Sequence, residues 1–445
     1  MRIGLVGSGG REHAIAKTLA RNPARDSLYV FASHPNPGIE PLAATTETGD
    51  LHNTGSVVDF FLANHIDLVV VGPEAPLLAG VIDALRDRGI LAVGPTQSQA
   101  RIEGDKAFMR DLLQRRVGWG APAWRVVQSR REGADFISEV GEVAVKPIGL
   151  TGGKGVSVMG VHLLTLDDAL DQIDILIKKD RQVLLEERLV GEEFSRMVFV
   201  SDHNVITMPV AQDFKYAYDG DHGGMTGGMG AYTCADGSLP FLLPVDMENA
   251  DRLIGETVDA LAAETGEPYR GFLYGQFIAT ANGVRVIEFN ARLGDPEAIN
   301  MMALLEADAA HTFYQIANGE LKQGQRFFSS LASVSKYLVP IGYPDDVGEP
   351  LKFYLNETSV LDAGLSIIYA SVTGDHNGYQ TLGSRTMALI GTGEEPGEVS
   401  AWMESLLLEI QPHGLRHRVD IGDARVIQSK LSRMAQLRGI RGDNE

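Results

Sequence analysis

A single cysteine, Cys234, stands in a chain of 445 residues, which excludes an internal disulfide and argues for a reducing compartment. Its Gly/Thr-rich surroundings do not suit a reactive thiol, so it reads as a core or loop residue. Long apolar runs are also missing. No stretch approaches the ~20 residues that span a bilayer, and Met1-Arg2 leads straight into a strand-like run, so neither an anchor nor a targeting segment is expected and the chain reads as cytoplasmic. Positive charge is scarce: Lys+Arg 39 against Asp+Glu 59 leaves −20, which repels nucleic acid and anionic membrane over most of the surface. Any phosphate ligand must therefore be gripped by local cations. What remains is ordinary for a globular protein, with 44% hydrophobic and 22% charged residues, no long repeat, and length enough for about three domains.

The first hundred residues read as a parallel α/β unit. Strand-like runs at Ile3 to Val6, Leu28 to Ala32, Leu68 to Val71 and Ile90 to Val93 alternate with helical patterns at Arg11 to Arg21 and Leu77 to Arg88. The turn Gly7-Ser8-Gly9-Gly10 opens a helix whose N-terminus suits a single phosphate. A dinucleotide fold fits poorly, because Glu12 replaces the third glycine of G-x-G-x-x-G and the second strand ends without a ribose-binding acid. A helix from Gly104 to Arg116 carries Lys106 in its first turn, and Val117 to Ala123 reads as a linker. Further on, strands at 182–186, 195–200 and 205–209 precede a glycine-rich stretch at 216–230 that reads as a mobile or ligand-wrapped loop. Helices follow at 250–265 and 300–318, and a hairpin at 273–280 and 284–289 turns through Asn282-Gly283. The last ~115 residues look like a smaller α+β lobe without a charged cluster of its own.

Two stretches concentrate chemistry. Val145-Lys146-Pro147-Ile148-Gly149-Leu150-Thr151-Gly152-Gly153-Lys154-Gly155-Val156 joins a β-branched run to a glycine loop, with one lysine before the loop and one inside it. It reads as a phosphate grip, although a glycine hairpin with two solvated lysines is the plain alternative. A P-loop is excluded, since valine rather than a hydroxyl residue follows Gly-Lys-Gly. The second stretch is Val286-Ile287-Glu288-Phe289-Asn290-Ala291-Arg292-Leu293-Gly294-Asp295-Pro296-Glu297. On a strand, Glu288, Asn290 and Arg292 share one face, and Gln276 on the preceding strand can face the same site. Carboxylate and amide oxygens with room for substrate phosphates suit Mg²⁺. An amphipathic edge strand is the bland reading.

Together with Lys106, L-L-E-E-R-L-V-G-E-E-F, T-G-G-M-G-A-Y, and the N-terminal G-S-G-G-R-E-H-A and V-G-P-E-A-P-L, these motifs resemble the phosphoribosylamine–glycine ligase family of ATP-grasp enzymes over nearly the whole chain. The resemblance implies an N-terminal Rossmann-like parallel sheet (1–103), a central ATP-grasp domain (104–330, lid about 118–190) and a small C-terminal α+β domain (331–445). It implies an ATP-dependent ligase of purine biosynthesis acting on glycine and phosphoribosylamine, a monomer or weak homodimer without nucleic-acid or membrane partners. ATP would have Lys106, Lys146, Gly152, Gly153 and Lys154 at its phosphates, the backbone of Glu186, Glu187 and Leu189 at adenine, and Glu193 at the ribose. Gln276, Glu288 and Asn290 would hold Mg²⁺ or Mn²⁺. Arg292 and Asp295 would meet glycine and the transferred phosphate, with Lys154 and Asp213 also catalytic. Gly9, Gly10, Arg11, Glu12 and Lys215 would bind the amine substrate, and the loop at 149–155 would be the lid.

The sequence departs from the family in one loop. Asp213-Phe214-Lys215-Tyr216 stands where D-H-K-R is usual, and Gly223-Gly224-Met225-Thr226 where G-P-N-T is usual; Ser33-His34-Pro35-Asn36-Pro37-Gly38 also differs from P-G-N-x-G. The loop positions belong to the acceptor side in the family. They keep open a second reading, a paralogue joining another carboxylate to another amine; a non-catalytic nucleotide sensor is a third, opposed by the intact metal and arginine set.

Overall fold

A computed structural model describes residues 1–22, 27–149 and 155–440. Five strands, Arg2–Val6, Ser27–Ala32, Ala43–Thr48, Leu68–Val71 and Leu91–Val93, form an all-parallel sheet. Ala43–Thr48 is at one edge and Leu91–Val93 at the other, with Arg2–Val6 in the middle. Strand order therefore reverses at Arg2–Val6, and the turns after Val6 and Val71 open side by side at the carboxyl ends, where α/β sheets take ligands. Ala43–Thr48 and the helix Thr54–Ala63 were not apparent in the sequence. The strand is polar and half to fully exposed, so no alternation marks it.

Two antiparallel sheets face one another across a cleft. One consists of Trp124–Val127, Val183–Glu187, Val143–Lys146 and Ser157–Val158, in that order, and carries the helices Arg130–Val140 and Leu166–Asp180. Its core of Val127, Phe136, Val145, Ile173 and Leu185 is separate from the main core, so this sheet and its helices pack as a body of their own. Thr165 and Asp168 form a capping box at the start of Leu166–Asp180, with Thr165 accepting from the Asp168 amide at 3.1 Å. The opposing sheet runs Asn204–Thr207, Gly191–Ser201, Arg270–Thr280, Gly283–Asn290. The expected hairpin is there, but Thr280 pairs with Gly283, which centres its turn on Ala281-Asn282.

A third sheet takes two short strands, Gln212–Asp213 and Gly230–Thr233, from the middle of the chain and joins them to Ala332–Pro340, Met387–Gly393 and Ser366–Tyr369. The stretch expected to be a loop at 216–230 is therefore largely paired, including a hairpin of Tyr216–Tyr218 with His222–Met225. Other helices end sooner than periodicity implies. Gly80, at φ 84, divides 77–88 into Glu74–Leu78 and Val81–Asp87. Asp105 caps a new helix, Lys106–Leu112, behind Gln97–Gly104, and Asp308 caps Ala309–Asn318 after Glu297–Leu304.

The C-terminal lobe does contain charge clusters, contrary to expectation. Buried Lys336 donates to Ser400, Glu404 and the Val419 carbonyl, and Arg418 pairs with Asp420 and Asp221. The Lys336–Glu404 and Arg418–Asp221 pairs span too much sequence to give a local signal. Among the described residues no helix is long and apolar enough to cross a membrane.

Candidate active site

Two cavities of about 360 Å³ each lie along the cleft and share Val156, Asp213, Lys215 and Glu288 as a common wall. The first sits between the two antiparallel sheets: Ala144 and Lys146 line it from one, Ile278 and Ile287 from the other, and 186–193 at one end. Glu186, Glu187, Leu189 and Glu193 all border this cavity. Lys146 donates to Glu186 Oε2 at 2.6 Å, while Arg110 grips both oxygens of the same carboxylate at 2.6 and 2.9 Å. Burial would raise the Glu186 pKa, but Arg110 and Lys146 outweigh it and hold it at about 2. The side chain of Glu186 thus aims Lys146. Arg110 was not read from the sequence; it sits on the interior of a helix and belongs to no motif.

Lys106 opens its helix and donates from Nζ to the Gly149 carbonyl at 2.9 Å, tying that helix to the end of strand Val143–Lys146. It faces the second cavity, and burial lowers its pKa. Gly152, Gly153 and Lys154 lie outside the described residues.

Glu193 accepts from Lys215 Nζ and Gln276 Nε2, both at 3.0 Å, so its carboxylate is turned toward the junction of the cavities. Burial opposes the charge on Lys215, yet Asp213 and Glu193 more than offset it and raise its pKa. Asp213 shifts upward, chiefly through burial.

Gln276 pairs across the sheet with Glu288, as periodicity required, at a bulge that leaves Ile287 unpaired. Its side-chain oxygen already accepts from Tyr274, and its nitrogen donates to Glu193. Gln276 is therefore engaged on both ends. Asn290 Nδ2 lies 3.3 Å from Glu288 Oε1 on the same face. Among the described residues no group of three or more His, Cys, Asp or Glu side chains is arranged for a metal. One carboxylate and one amide fit a hard cation that keeps waters and substrate phosphates as its other ligands.

The second cavity is bordered by Arg11, Glu74, Glu103, Arg292, Asp295 and Arg385, among others. Arg292 Nη2 lies 2.9 Å from Glu103 Oε1, and its buried Nε lies 3.4 Å from Glu74 Oε2, an ion pair without an aligned hydrogen bond. Burial alone would lower its pKa; the two carboxylates raise it instead, so the guanidinium stays charged beside the cavity. Arg11 is spent on Glu12 and on the Leu293 carbonyl, at 3.1 Å, while Glu12 also accepts from the Gly9 amide at 2.7 Å. Of the N-terminal turn, Arg11 borders the cavity and Gly9, Gly10 and Glu12 pack behind it. Asp295 is held on both oxygens by Tyr337 and Arg385. Glu297, which closes the second stretch without a role assigned from sequence, lies 2.9 Å from the Tyr274 hydroxyl; burial and then Asp213 push its pKa up to about 7.

These features match known proteins along the chain. A family model described as phosphoribosylglycinamide synthetase, N domain, matches residues 1–103, and one described as the ATP-grasp (A) domain of the same synthetase matches 104–298. A phosphoribosylamine–glycine ligase of Methanosarcina barkeri is 44% identical over 99% of this chain and 100% of its own length. This chain belongs to the phosphoribosylamine–glycine ligase family. Ligases from Methanopyrus kandleri and Pyrococcus furiosus are 41% and 40% identical over 99% of the chain. The crystal structure of the Thermotoga maritima ligase covers 95% of this chain and 100% of its own, at 25% identity and a TM-score of 0.77.

Within the ligase family, the departures at 213–230 change meaning once their positions are known. Phe214 is buried, 6.2 Å from the Tyr232 ring and with Arg418 and Lys430 at 4.9 and 5.2 Å from its centroid, away from both cavities. Tyr216 and Met225 border the first cavity and not the second. Tyr216 also stacks on His162, with centroids 6.2 Å apart. Thr226 and Gly227, which keep the family pattern, border the second. None of Phe214, Tyr216 and Met225 borders the second cavity.

Proposed function

We propose that this chain joins glycine to 5-phosphoribosylamine with ATP, giving glycinamide ribonucleotide, ADP and phosphate in purine biosynthesis. The observation that carries this reading is the pair of cavities meeting at Glu288, Asp213 and Lys215 in a chain of this family. A carboxylate is a poor electrophile, so a glycine carboxylate oxygen first takes the γ-phosphoryl group and ADP leaves. The amine nitrogen then attacks the carbonyl carbon of glycyl phosphate. The C–N bond forms, the C–O bond to phosphate breaks, phosphate departs with the electron pair, and the amine gives up a proton. No covalent enzyme nucleophile is needed.

ATP occupies the first cavity, with the backbone of Glu186, Glu187 and Leu189 at the base and Glu193 at the ribose. Lys146, aimed by Glu186 and Arg110, and Lys106 neutralise the phosphates, joined by Gly152, Gly153 and Lys154 on the strength of the motif. Glu288 and Asn290 hold Mg²⁺ or Mn²⁺, with Gln276 orienting Glu193 and Asp213 behind them; a bound cation neutralises phosphoryl charge. Arg292, held charged by Glu103 and Glu74 at the edge of the second cavity, orients the glycine carboxylate and the charge that develops on it. Asp213, Lys215, Asp295 and the turn at Gly9, Gly10, Arg11 and Glu12 serve the acceptor. We assign domain limits near 103 and 330 and a lid of about 118–190, in a cytoplasmic enzyme acting as a monomer or weak homodimer.

ADP release measured with ATP, glycine and phosphoribosylamine, each omitted in turn, tests the reading. Full turnover requires all three. Equal turnover with another carboxylate and amine, or nucleotide binding without turnover, would overturn it.

A further inference from the structure

The matched family models end at 298, yet the chain beyond that point builds one wall of the second cavity. Arg385, just before the strand Met387–Gly393, reaches across to two separate segments. Its Nη1 donates to the carbonyl oxygens of Gly227, Gly228 and Asp295 at 2.8, 2.9 and 2.8 Å, and Nη2 donates to Asp295 Oδ2 at 3.0 Å. Tyr337, from strand Ala332–Pro340, donates its hydroxyl to Asp295 Oδ1 at 2.7 Å, and the guanidinium lies 4.5 Å from the centre of its ring. Two close approaches complete the cluster. A Cβ at Gly10 would fall 2.1 Å from the Tyr337 hydroxyl oxygen, and one at Gly228, whose φ is +104, would fall 2.6 Å from Pro296 Cδ. The glycine segment, the turn at 294–296 and the first turn of the N-terminal helix are thus fitted around one guanidinium and one phenol.

Other buried cations of the C-terminal lobe differ in position. Lys336 and Arg418 are enclosed, with side chains 0% and 1% exposed, and border neither cavity; Arg385 keeps 15% and faces the second. The first two fasten the lobe, whereas Arg385 does so at the reaction site.

We propose that Arg385, with Tyr337, is a positioning residue of the ligase reaction: it fixes Asp295 and the Gly227–Gly228 backbone as one wall against which the amine is oriented for attack on the glycyl carbonyl. This rests on the ligase reading above. Four acceptors in different directions match a planar, multi-donor fork and do not match a single ammonium. Arg385→Lys therefore keeps the charge and loses the geometry, and Tyr337→Phe removes one hydroxyl from Asp295.

The test measures amide formation, phosphate release and KM for each substrate in the full-length chain and the two variants, with thermal midpoints alongside. Wild-type amide formation judges the ligase reading, and the variants judge Arg385. Arg385→Lys is expected to lower kcat at least about tenfold, with KM for ATP unchanged within about twofold and more than one phosphate released per amide, because a misplaced amine leaves glycyl phosphate to water. Tyr337→Phe is expected to shift the same ratio less. Wild-type kcat with one phosphate per amide in Arg385→Lys would overturn the proposal. So would a loss shared equally by KM for ATP and the thermal midpoint, since that marks a purely structural role.

Discussion

The two cavities are equal in volume and opposite in construction. The first, proposed for the nucleotide, is made by two sheets whose polar residues fall in short continuous motifs, and its lysine is aimed by a carboxylate on the adjacent strand. The second, proposed for the acceptor, adds to the strand residues Tyr274, Glu288, Phe289 and Asn290 groups from the N-terminal turn, Glu103 at the end of a helix, the turn after Asn290, and Arg385 from the C-terminal lobe. A strand pair can hold a nucleotide with local sequence alone, whereas a site for two small substrates needs groups converging from several directions. The sheet that carries Lys146 has a core apart from the main one and lines the first cavity at Ala144, Lys146 and Val158 but, among the described residues, the second only through Val156.

Substitutions that strike one side only will break or sharpen that contrast. The largest effect is expected for Glu186→Ala, which strands Arg110 and Lys146. Leaving a buried pair without its partner costs roughly 3–5 kcal/mol; denaturant unfolding should register the loss, and ATP titration should register weak binding. Arg292→Lys strikes the other side. It should keep ATP affinity while kcat falls about 100- to 1,000-fold, the scale of a lost donor to developing charge. Steady-state kinetics with ATP binding measured separately checks both halves, and a fully active variant removes Arg292 from the mechanism.

Acid should act on the scaffold of the acceptor side. His13, on the N-terminal helix, accepts from the Tyr369 amide at 2.7 Å, and burial, helped by Lys17, lowers its pKa to about 3. A histidine lowered from about 6.5 contributes stability that is full above that value and is lost as pH falls toward 3. Between about pH 6.5 and 5 the loss is roughly 2 kcal/mol. His13→Asn should flatten that part of the stability curve, whatever it does to the overall level. The smallest effect belongs to Tyr216→Arg, which restores the usual residue at the rim of the nucleotide cavity. A few-fold change in KM for ATP with KM for glycine and the amine unchanged supports the division of labour; a changed substrate preference would break it.

How much of this was legible in the sequence follows from the same contrast. Glu288, Asn290 and Gln276 were readable because strand period and cross-strand pairing are short-range rules. Lys146 was readable as a cation, but its fixing by Arg110 across the cleft was not. Arg385 gave no signal, because its partners lie 90 and about 158 residues away and it occupies no motif. Phe214 misled: its type announced a changed substrate, and only the packing of Arg418, Lys430 and Tyr232 around it showed a side chain turned away from the chemistry. In the fold, the strand at 43–48 was hidden by its exposed polar composition; within 216–230 the local hairpin was masked by glycine, and Gly230 by a partner more than a hundred residues on.

The central claim is that glycine is activated as an acyl phosphate between the two cavities, and glycine labelled with heavy oxygen in its carboxylate tests it most directly. One labelled oxygen should appear in the released phosphate for each amide formed, with the other retained in the product. Amide formation with unlabelled phosphate would contradict the account.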